Sequence, residues 1–144
     1  MNKLNSLKDI RVDRDYTQIE VAKMLNCNRS TYSDWENGDI MISLDRLDEL
    51  SMLYNVRISC LLGLERNSKI NYKLKKLDYN VLLDNLNKLR KENNHTIKEL
   101  ADYLNCSVST CYRYFNGTLK LNVKKLLILK ELYNVDLDKL CGKE

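Results

Sequence analysis

The feature that most constrains this chain is an internal repeat with a spacing of 79 residues, because residues 4–65 align with residues 83–144 without a gap. Identical pairs run along the whole alignment: Leu4/Leu83, Leu7/Leu86, Arg11/Arg90, Thr17/Thr96, Glu20/Glu99, Ala22/Ala101, Cys27/Cys106, and Tyr54-Asn55-Val56 with Tyr133-Asn134-Val135. A register kept over about sixty residues predicts two copies of one small domain. The period is too long for a solenoid unit, so each copy is expected to have its own core.

The repeat divides the 144 residues into a first domain (1–65), a linker (66–80) and a second domain (81–144). Five basic residues against one acid make the linker basic: Arg66, Lys69, Lys73, Lys75 and Lys76 against Asp78. It contains neither Gly nor Pro, and it has modest helical periodicity at Ile70, Leu74 and Leu77. Both a short helix and a flexible tether therefore fit this segment.

The composition predicts an all-α chain. No proline, four glycines and 8% aromatic residues are too few turn and strand formers for a many-turned β architecture. Apolar residues at helical spacing predict a first helix (Leu4, Leu7, Ile10) and a fourth (Leu44, Leu47, Leu50, Leu53) in the first copy, with counterparts in the second. The chain is thus predicted to form two tandem domains of five short helices each.

Capping residues predict where these helices begin and end. Thr17 and Thr96 are each followed three residues later by a glutamate, which is the pattern of a capping box at the start of helix two. Asn26 and Asn105 are suited to the left-handed conformation that ends it. Asn28 and Ser107 are expected to cap helix three, Gly38 and Gly117 to end it, and Ser43 and Asn122 to cap helix four.

Helices two and three are joined by a three-residue turn with alanine inside the first of them, which is the arrangement of a helix-turn-helix. Cys27 and Cys106 occupy the apolar position of that turn, and we interpret them as small buried hydrophobic residues. Tyr32 and Trp35 lie on the predicted inward face of helix three and are expected in the core.

The segment from Thr17 to Ala22 with Leu25, followed by Asn28 to Gly38, resembles the helix-turn-helix of the Cro/phage-repressor (XRE) family, whose domains are lambda-repressor-like. The resemblance covers residues 4–64 and, through the repeat, 83–142. It is weaker in the second copy, where four family-like positions change: Gln18 to Ile97, Tyr32 to Cys111, and Trp35-Glu36 to Tyr114-Phe115.

The resemblance implies sequence-specific binding of double-stranded DNA, in a transcriptional regulator such as a repressor, with helix three of each copy in the major groove. The residues expected to read bases are Arg29, Ser30, Ser33 and Asp34 in the first copy, and Val108, Ser109, Tyr112 and Arg113 in the second. Arg29 and Arg113 are the strongest candidates because a guanidinium can donate two hydrogen bonds to guanine. Val108 is suited to contact a thymine methyl group. The expected phosphate contacts are Thr17, Gln18, Asn37, Asn116, Lys120 and Lys124.

Charge distinguishes the two copies. Residues 1–65 hold 8 basic and 11 acidic side chains, residues 66–82 hold 5 and 1, and residues 83–144 hold 11 and 8. Phosphate contacts dominate affinity for nucleic acid, so a first domain of net charge −3 begins at a disadvantage. We expect the second domain and the linker to supply much of the nonspecific affinity, and the first domain to read a half-site weakly or to contact a protein.

Other partners also fit the sequence. Ile40 and Ile42, matched by Leu119 and Leu121, form apolar pairs that suit either a homodimer interface or the covering of helix four. The alternative to a DNA-binding regulator is a protein-interaction module of the antitoxin or inhibitor type, in which the first domain contacts a protein.

No catalytic, metal or cofactor site is expected, and we predict that the chain is not an enzyme. The single histidine, His95, aligns with Tyr16, and the five cysteines have no CxxC spacing. No apolar run approaches the roughly 18 residues of a membrane span. Residues 1–7 lack the pattern of an export signal, so the cytoplasm and reduced thiols are expected.

Overall fold

The computed structural model describes residues 5–66 and 70–144, and within these residues helix is the only regular secondary structure. The chain divides into two compact units, residues 1–76 and 77–144, hereafter domain 1 and domain 2. This division falls inside the predicted linker. Leu4 and Lys69, which we assigned to helix one and to the linker, lie outside the described residues.

Each domain has five helices within the described residues, which confirms the predicted fold class. Domain 1 contains α1 (Asn5–Asp13), α2 (Gln18–Met24), α3 (Arg29–Asn37), α4 (Leu44–Tyr54) and α5 (Ile58–Leu61). Domain 2 contains α6 (Tyr79–Glu92), α7 (Ile97–Leu104), α8 (Val108–Phe115), α9 (Val123–Tyr133) and α10 (Leu137–Leu140). No helix among the described residues is long and apolar enough to cross a membrane.

Side-chain caps start the helices largely where the sequence predicts. Thr17 Oγ1 accepts from the Glu20 N–H at 3.1 Å, and the Glu20 carboxylate accepts from the Thr17 N–H at 3.2 Å. Thr96 and Glu99 repeat this capping box, and the predicted caps by Ser43, Ser107 and Asn122 also form. Asn28 holds the cap position of α3, but its side chain makes no capping hydrogen bond, so that expectation is wrong.

The turns between α2 and α3 and between α7 and α8 use left-handed asparagines, as predicted: φ is 54° at Asn26 and 52° at Asn105. Gly38, with φ 79°, is the left-handed cap that ends α3. In domain 2 the cap of α8 is Asn116, and left-handed Gly117 follows it. A side chain with a Cβ is strained at such glycine positions.

Apolar residues at the predicted helical spacing form the core of each domain, except Leu53 of the predicted fourth-helix stripe, which is 38% exposed. Tyr32 and Trp35 are buried, as expected. Of the two apolar pairs, Ile42 and Leu121 are core residues, so they are not available to an interface, whereas Ile40 is 50% exposed. Cys27 and Cys106 are partly exposed free thiols, so our expectation of full burial is also wrong.

The described part of the linker next to domain 2 contains no helix over residues 70–78, so the helical alternative is wrong there. Helix α6 begins at Tyr79 because Asp78 caps it: Oδ1 of Asp78 accepts from the N–H groups of Asn80 and Val81 at 3.0 and 3.3 Å. The cap competes with any continuation of helix toward the linker.

Candidate nucleic-acid interface

Helix α3 carries all of its predicted DNA-contacting residues on one face, the recognition face of domain 1. Successive helical residues are rotated by about 100°, so these residues fall within an arc of about 140°. They are Arg29, Ser30, Ser33, Asp34 and Asn37. The opposite side of α3 is buried through Tyr32, Trp35 and Glu36. Burial of that side leaves the recognition face directed away from the core of domain 1.

Helix α8 presents the same arrangement in domain 2. Its recognition face consists of Val108, Ser109, Tyr112, Arg113 and Asn116, opposite the buried Cys111, Tyr114 and Phe115. This face is more apolar, because Val108 is 50% exposed and Tyr112 is 60% exposed. Each position on it aligns with one on the recognition face of domain 1 at the spacing of the repeat.

The turn fixes each recognition helix against the helix before it. The Cys27 N–H donates to the Ala22 carbonyl at 2.9 Å, and the Cys106 N–H donates to the Ala101 carbonyl at 3.0 Å. Both alanines are 2% exposed, which lets the two helices cross closely. Matching bonds at aligned positions mean that α3 and α8 start with the same backbone geometry.

A basic side chain from the fourth helix of each domain also holds the helix-turn-helix in place. The sequence analysis did not predict this contact. The Arg46 guanidinium donates to the Leu25 carbonyl, and the Lys125 ammonium donates to the Leu104 carbonyl. These carbonyls lie at the C-terminal ends of α2 and α7, where a positive charge is favourable. The signal in the sequence is that positions 46 and 125 align and are both basic.

Three charged groups on the recognition faces are free to contact a ligand. The side chains of Arg29, Asp34 and Arg113 make no hydrogen bond or ion pair within the part of the chain that the structure describes. Arg29 and Arg113 are exposed and Asp34 is half-buried. Domain 1 thus displays an arginine and a carboxylate, whereas domain 2 displays an arginine beside apolar side chains.

Behind the recognition face of domain 1 lies a buried polar network that the sequence did not reveal. Arg11 Nε donates to Glu36 Oε1 at 2.6 Å, and Gln18 Nε2 donates to Glu36 Oε2 at 2.9 Å. Burial raises the pKa of Glu36, but hydrogen bonds from Arg11 and Gln18 outweigh burial and hold it below its usual value. The network ties α1, α2 and α3 together, and it occupies part of the Gln18 amide.

Domain 2 lacks this network. Phe115 and Ile97 stand where domain 1 has Glu36 and Gln18, while Arg90 is retained at the position of Arg11. Arg90 Nη1 donates to the His95 carbonyl at 3.3 Å, but Arg90 Nε is buried without a hydrogen-bond partner among the described residues. Apolar packing therefore replaces an ion pair at the same place in the fold.

The predicted phosphate-contacting residues lie at helix ends and in the following loops, and several already have internal partners. Thr17 caps α2, and Asn37 Nδ2 donates to Ser33 Oγ at 3.4 Å. Asn116 Oδ1 accepts from the Thr118 N–H at 2.8 Å. Their contacts with phosphate stay a prediction.

The basic candidates of domain 2 lie beyond α8. Lys120 Nζ lies 4.2 Å from the centre of the Tyr79 ring, a cation–π contact that directs the ammonium group, and Lys124 is exposed on α9. At the aligned positions domain 1 has Met41 and Asp45. The loop and the start of the fourth helix therefore differ in charge between the two domains.

No group of three or more metal-ligating side chains lies close together in the described residues. His95 Nδ1 lies 2.8 Å from the Tyr133 hydroxyl, and the ring packs against Tyr103 and Tyr133. The histidine thus has a packing role in domain 2.

Comparisons with known proteins agree with this arrangement. A family model described as helix-turn-helix matches residues 7–59 and 86–140. A 71-residue stretch, 49% of this chain and 63% of the relative, is 32% identical to the cryptic phage CTXphi transcriptional repressor RstR of Vibrio cholerae. A 65-residue stretch, 45% of this chain and 51% of the relative, is 40% identical to the HTH-type transcriptional regulator ImmR of Bacillus subtilis. The chain spans less than two thirds of either relative, and no solved structure matches it.

Proposed function

Since the chain belongs to the helix-turn-helix family, of the Cro/phage-repressor (XRE) type, we propose that it binds double-stranded DNA sequence-specifically and regulates transcription as a repressor. The observation that carries this proposal is the pair of matching recognition faces on α3 and α8. Each directs an arginine without an internal partner among the described residues outward from a helix whose other side is buried. A helix of this kind fits the major groove, where base edges display distinct donors and acceptors.

The names of the relatives support the same function. RstR is described as a transcriptional repressor and ImmR as a transcriptional regulator. Each is matched over a stretch of about the length of one domain of this chain. We propose no enzymatic activity for it.

We further propose that the domains contribute unequally. Domain 2 displays Arg113, Lys120 and Lys124 around its recognition face, and the basic linker precedes it. The corresponding region of domain 1 carries Asp34, Asp39 and Asp45. Because phosphate neutralisation supplies most of the nonspecific affinity, domain 2 and the basic linker residues, which belong to the compact unit of domain 1, supply most of the salt-dependent binding.

A second candidate function for domain 1 is contact with a protein. Ile40, which is 50% exposed, lies between the acidic end of α3 and α4, next to Asp39. An exposed apolar residue with acidic neighbours suits a protein surface, either a foreign partner or a second copy of this chain in a homodimer. Sedimentation of the wild type and of Ile40→Ser distinguishes these, since a dimer that uses this residue becomes monomeric in the variant.

A mobility-shift experiment on the full chain tests DNA binding. Duplexes selected from a random pool are expected to shift at moderate salt, with an affinity that falls steeply as salt rises. Arg113→Ala with Lys120→Ala is expected to weaken binding, to relax the base preference in one half-site through the loss of Arg113 and to reduce the salt dependence through the loss of Lys120, while Arg29→Ala mainly relaxes the sequence preference. The absence of a shift with any duplex, including DNA flanking its own gene, would overturn the proposal.

The division of labour has its own test in the same experiment. If Arg29→Ala abolishes binding, and the double change in domain 2 alters neither affinity nor salt dependence, then domain 1 carries the affinity and the assignment is reversed.

A further inference from the structure

The recognition faces differ most at one aligned position, where domain 1 has Asp34 and domain 2 has Arg113. We infer that this position reads opposite members of a G·C pair: Arg113 contacts guanine, and Asp34 contacts the amino group of cytosine. The two half-sites of the DNA target are therefore different sequences. This inference rests on the proposed function, and it names the bases that the site recognises.

The two side chains occupy equivalent places in the structure. Each is the sixth residue of its recognition helix, counted from Arg29 or Val108. The preceding turns match, with φ of 54° and 52° at the left-handed asparagines. Both side chains also lack an internal hydrogen bond or ion pair within residues 5–66 and 70–144. The two charges thus meet the same part of the groove from the same backbone position.

The chemistry of the groove selects the base for each charge. Guanine presents two acceptors, O6 and N7, which match the donors of arginine and repel a carboxylate. Thymine presents the O4 acceptor, and adenine places its N7 acceptor beside its amino donor. Cytosine presents the N4 amino donor alone, so it is the base whose major-groove edge suits a carboxylate.

Burial of Asp34 strengthens the need of its carboxylate for a hydrogen-bond donor on the base. The residue is half-buried already, and closing the groove over α3 removes more water from its carboxylate. A carboxylate that loses water without gaining a donor is strongly disfavoured. Domain 1 therefore rejects half-sites without cytosine at this position, which gives it sequence selectivity despite the net charge of −3 over residues 1–65.

The arginines Arg29 and Arg113 also occupy different positions along their recognition helices. Domain 1 has its arginine at the first position of α3 (Arg29), and domain 2 has its arginine at the sixth position of α8 (Arg113). Five residues correspond to a rise of about 7.5 Å along a helix. Guanine contacts are thus expected near opposite ends of the two half-sites, with Val108 facing an apolar base edge where Arg29 faces guanine.

Selection of duplexes from a random pool by the full chain tests the inference, using wild type and Asp34→Asn. Asparagine donates to N7 and accepts from N6 of adenine. The variant is expected to change the preferred base from cytosine to adenine at one position of one half-site. The preference for cytosine over adenine there should be roughly tenfold or more in the wild type. The other half-site stays unchanged.

Asp39→Asn is the matched control, since it removes the same charge from an exposed residue just beyond α3. We expect it to raise affinity slightly for all sequences and to leave every base preference as in the wild type. An identical selected site for Asp34→Asn and the wild type would overturn the inference while leaving DNA binding intact. The same conclusion follows if Asp39→Asn shifts the preference equally. A wild-type chain that selects no duplex at all overturns the proposed function instead.

Discussion

The two domains have the same backbone fold but bury different side chains. In domain 1 the ion pair of Arg11 with Glu36, joined by Gln18, connects the first three helices. In domain 2, Phe115 and Ile97 fill the same region, and Arg90 remains without its carboxylate. From the second helix to the fifth the boundaries hardly change, because capping boxes, left-handed asparagines and leucines occur in both domains. This difference shows that these local signals specify the fold, whereas the buried polar residues can be replaced by apolar ones.

The largest difference in stability between the domains is expected when the arginine present in both, Arg11 or Arg90, is replaced. Arg11→Met leaves Glu36 buried without its cation, which costs about 3–5 kcal/mol of unfolding free energy in domain 1. Arg90→Met removes a half-buried arginine whose Nη1 donates to the His95 carbonyl but whose Nε is buried without a partner among the described residues, so the free energy of unfolding of domain 2 should change by less than about 1 kcal/mol or rise.

Urea unfolding of the full chain measures both changes. Trp35, the one tryptophan in the sequence, reports domain 1 by fluorescence, and amide NMR signals report domain 2. Equal destabilisation by the two substitutions would show that Arg90 contributes as much as Arg11 to the free energy of unfolding. The proposed difference between the interiors of the two domains would then be wrong.

A smaller, pH-dependent effect is expected from Glu36. Its pKa is lower in the folded chain than in the unfolded chain, because the hydrogen bonds of Arg11 and Gln18 outweigh burial. The stabilisation from this shift is therefore fully present above the unfolded carboxyl pKa of about 4.3 and is lost as the pH falls through the lower folded value. The wild type should exceed Glu36→Gln in stability by about 1.5–3 kcal/mol near neutral pH.

Unfolding curves at a series of pH values, followed by Trp35 fluorescence, test this effect. The difference between wild type and Glu36→Gln should shrink below about pH 4. Glu99→Gln, followed by the amide NMR signals of domain 2, is a useful control because the pKa of Glu99 is also lowered, by the backbone and side chain of Thr96, although Glu99 lies exposed in the capping box of domain 2. A difference at Glu36 that is independent of pH would contradict the ion-pair account.

Sequence reasoning predicted those features that depend on local signals. The capping boxes at Thr17 and Thr96 and the turns at Asn26 and Asn105 follow from residues next to one another in the chain. The Arg11–Glu36 pair joins residues 25 positions apart, and no periodicity marks it. The inward turn of Ile42 depends on how the loop after α3 crosses the core. Such features follow from tertiary packing, which local patterns do not encode.

The smallest predicted effect concerns the loop after each recognition helix, where Lys120 of domain 2 aligns with Met41 of domain 1. If Lys120 neutralises one phosphate, Lys120→Met makes the negative slope of log affinity against log salt shallower by about 0.9, and Met41→Lys makes it steeper by a similar amount. Lys88→Met provides the control, because Lys88 is an exposed lysine of α6 that pairs with Glu92 at 3.9 Å. Affinity of the full chain for one selected duplex, measured at several salt concentrations, gives all three slopes. A change at Lys88 as large as that at Lys120 would mean that the slope reports net charge, so that the loop of domain 2 has no special position toward the phosphates.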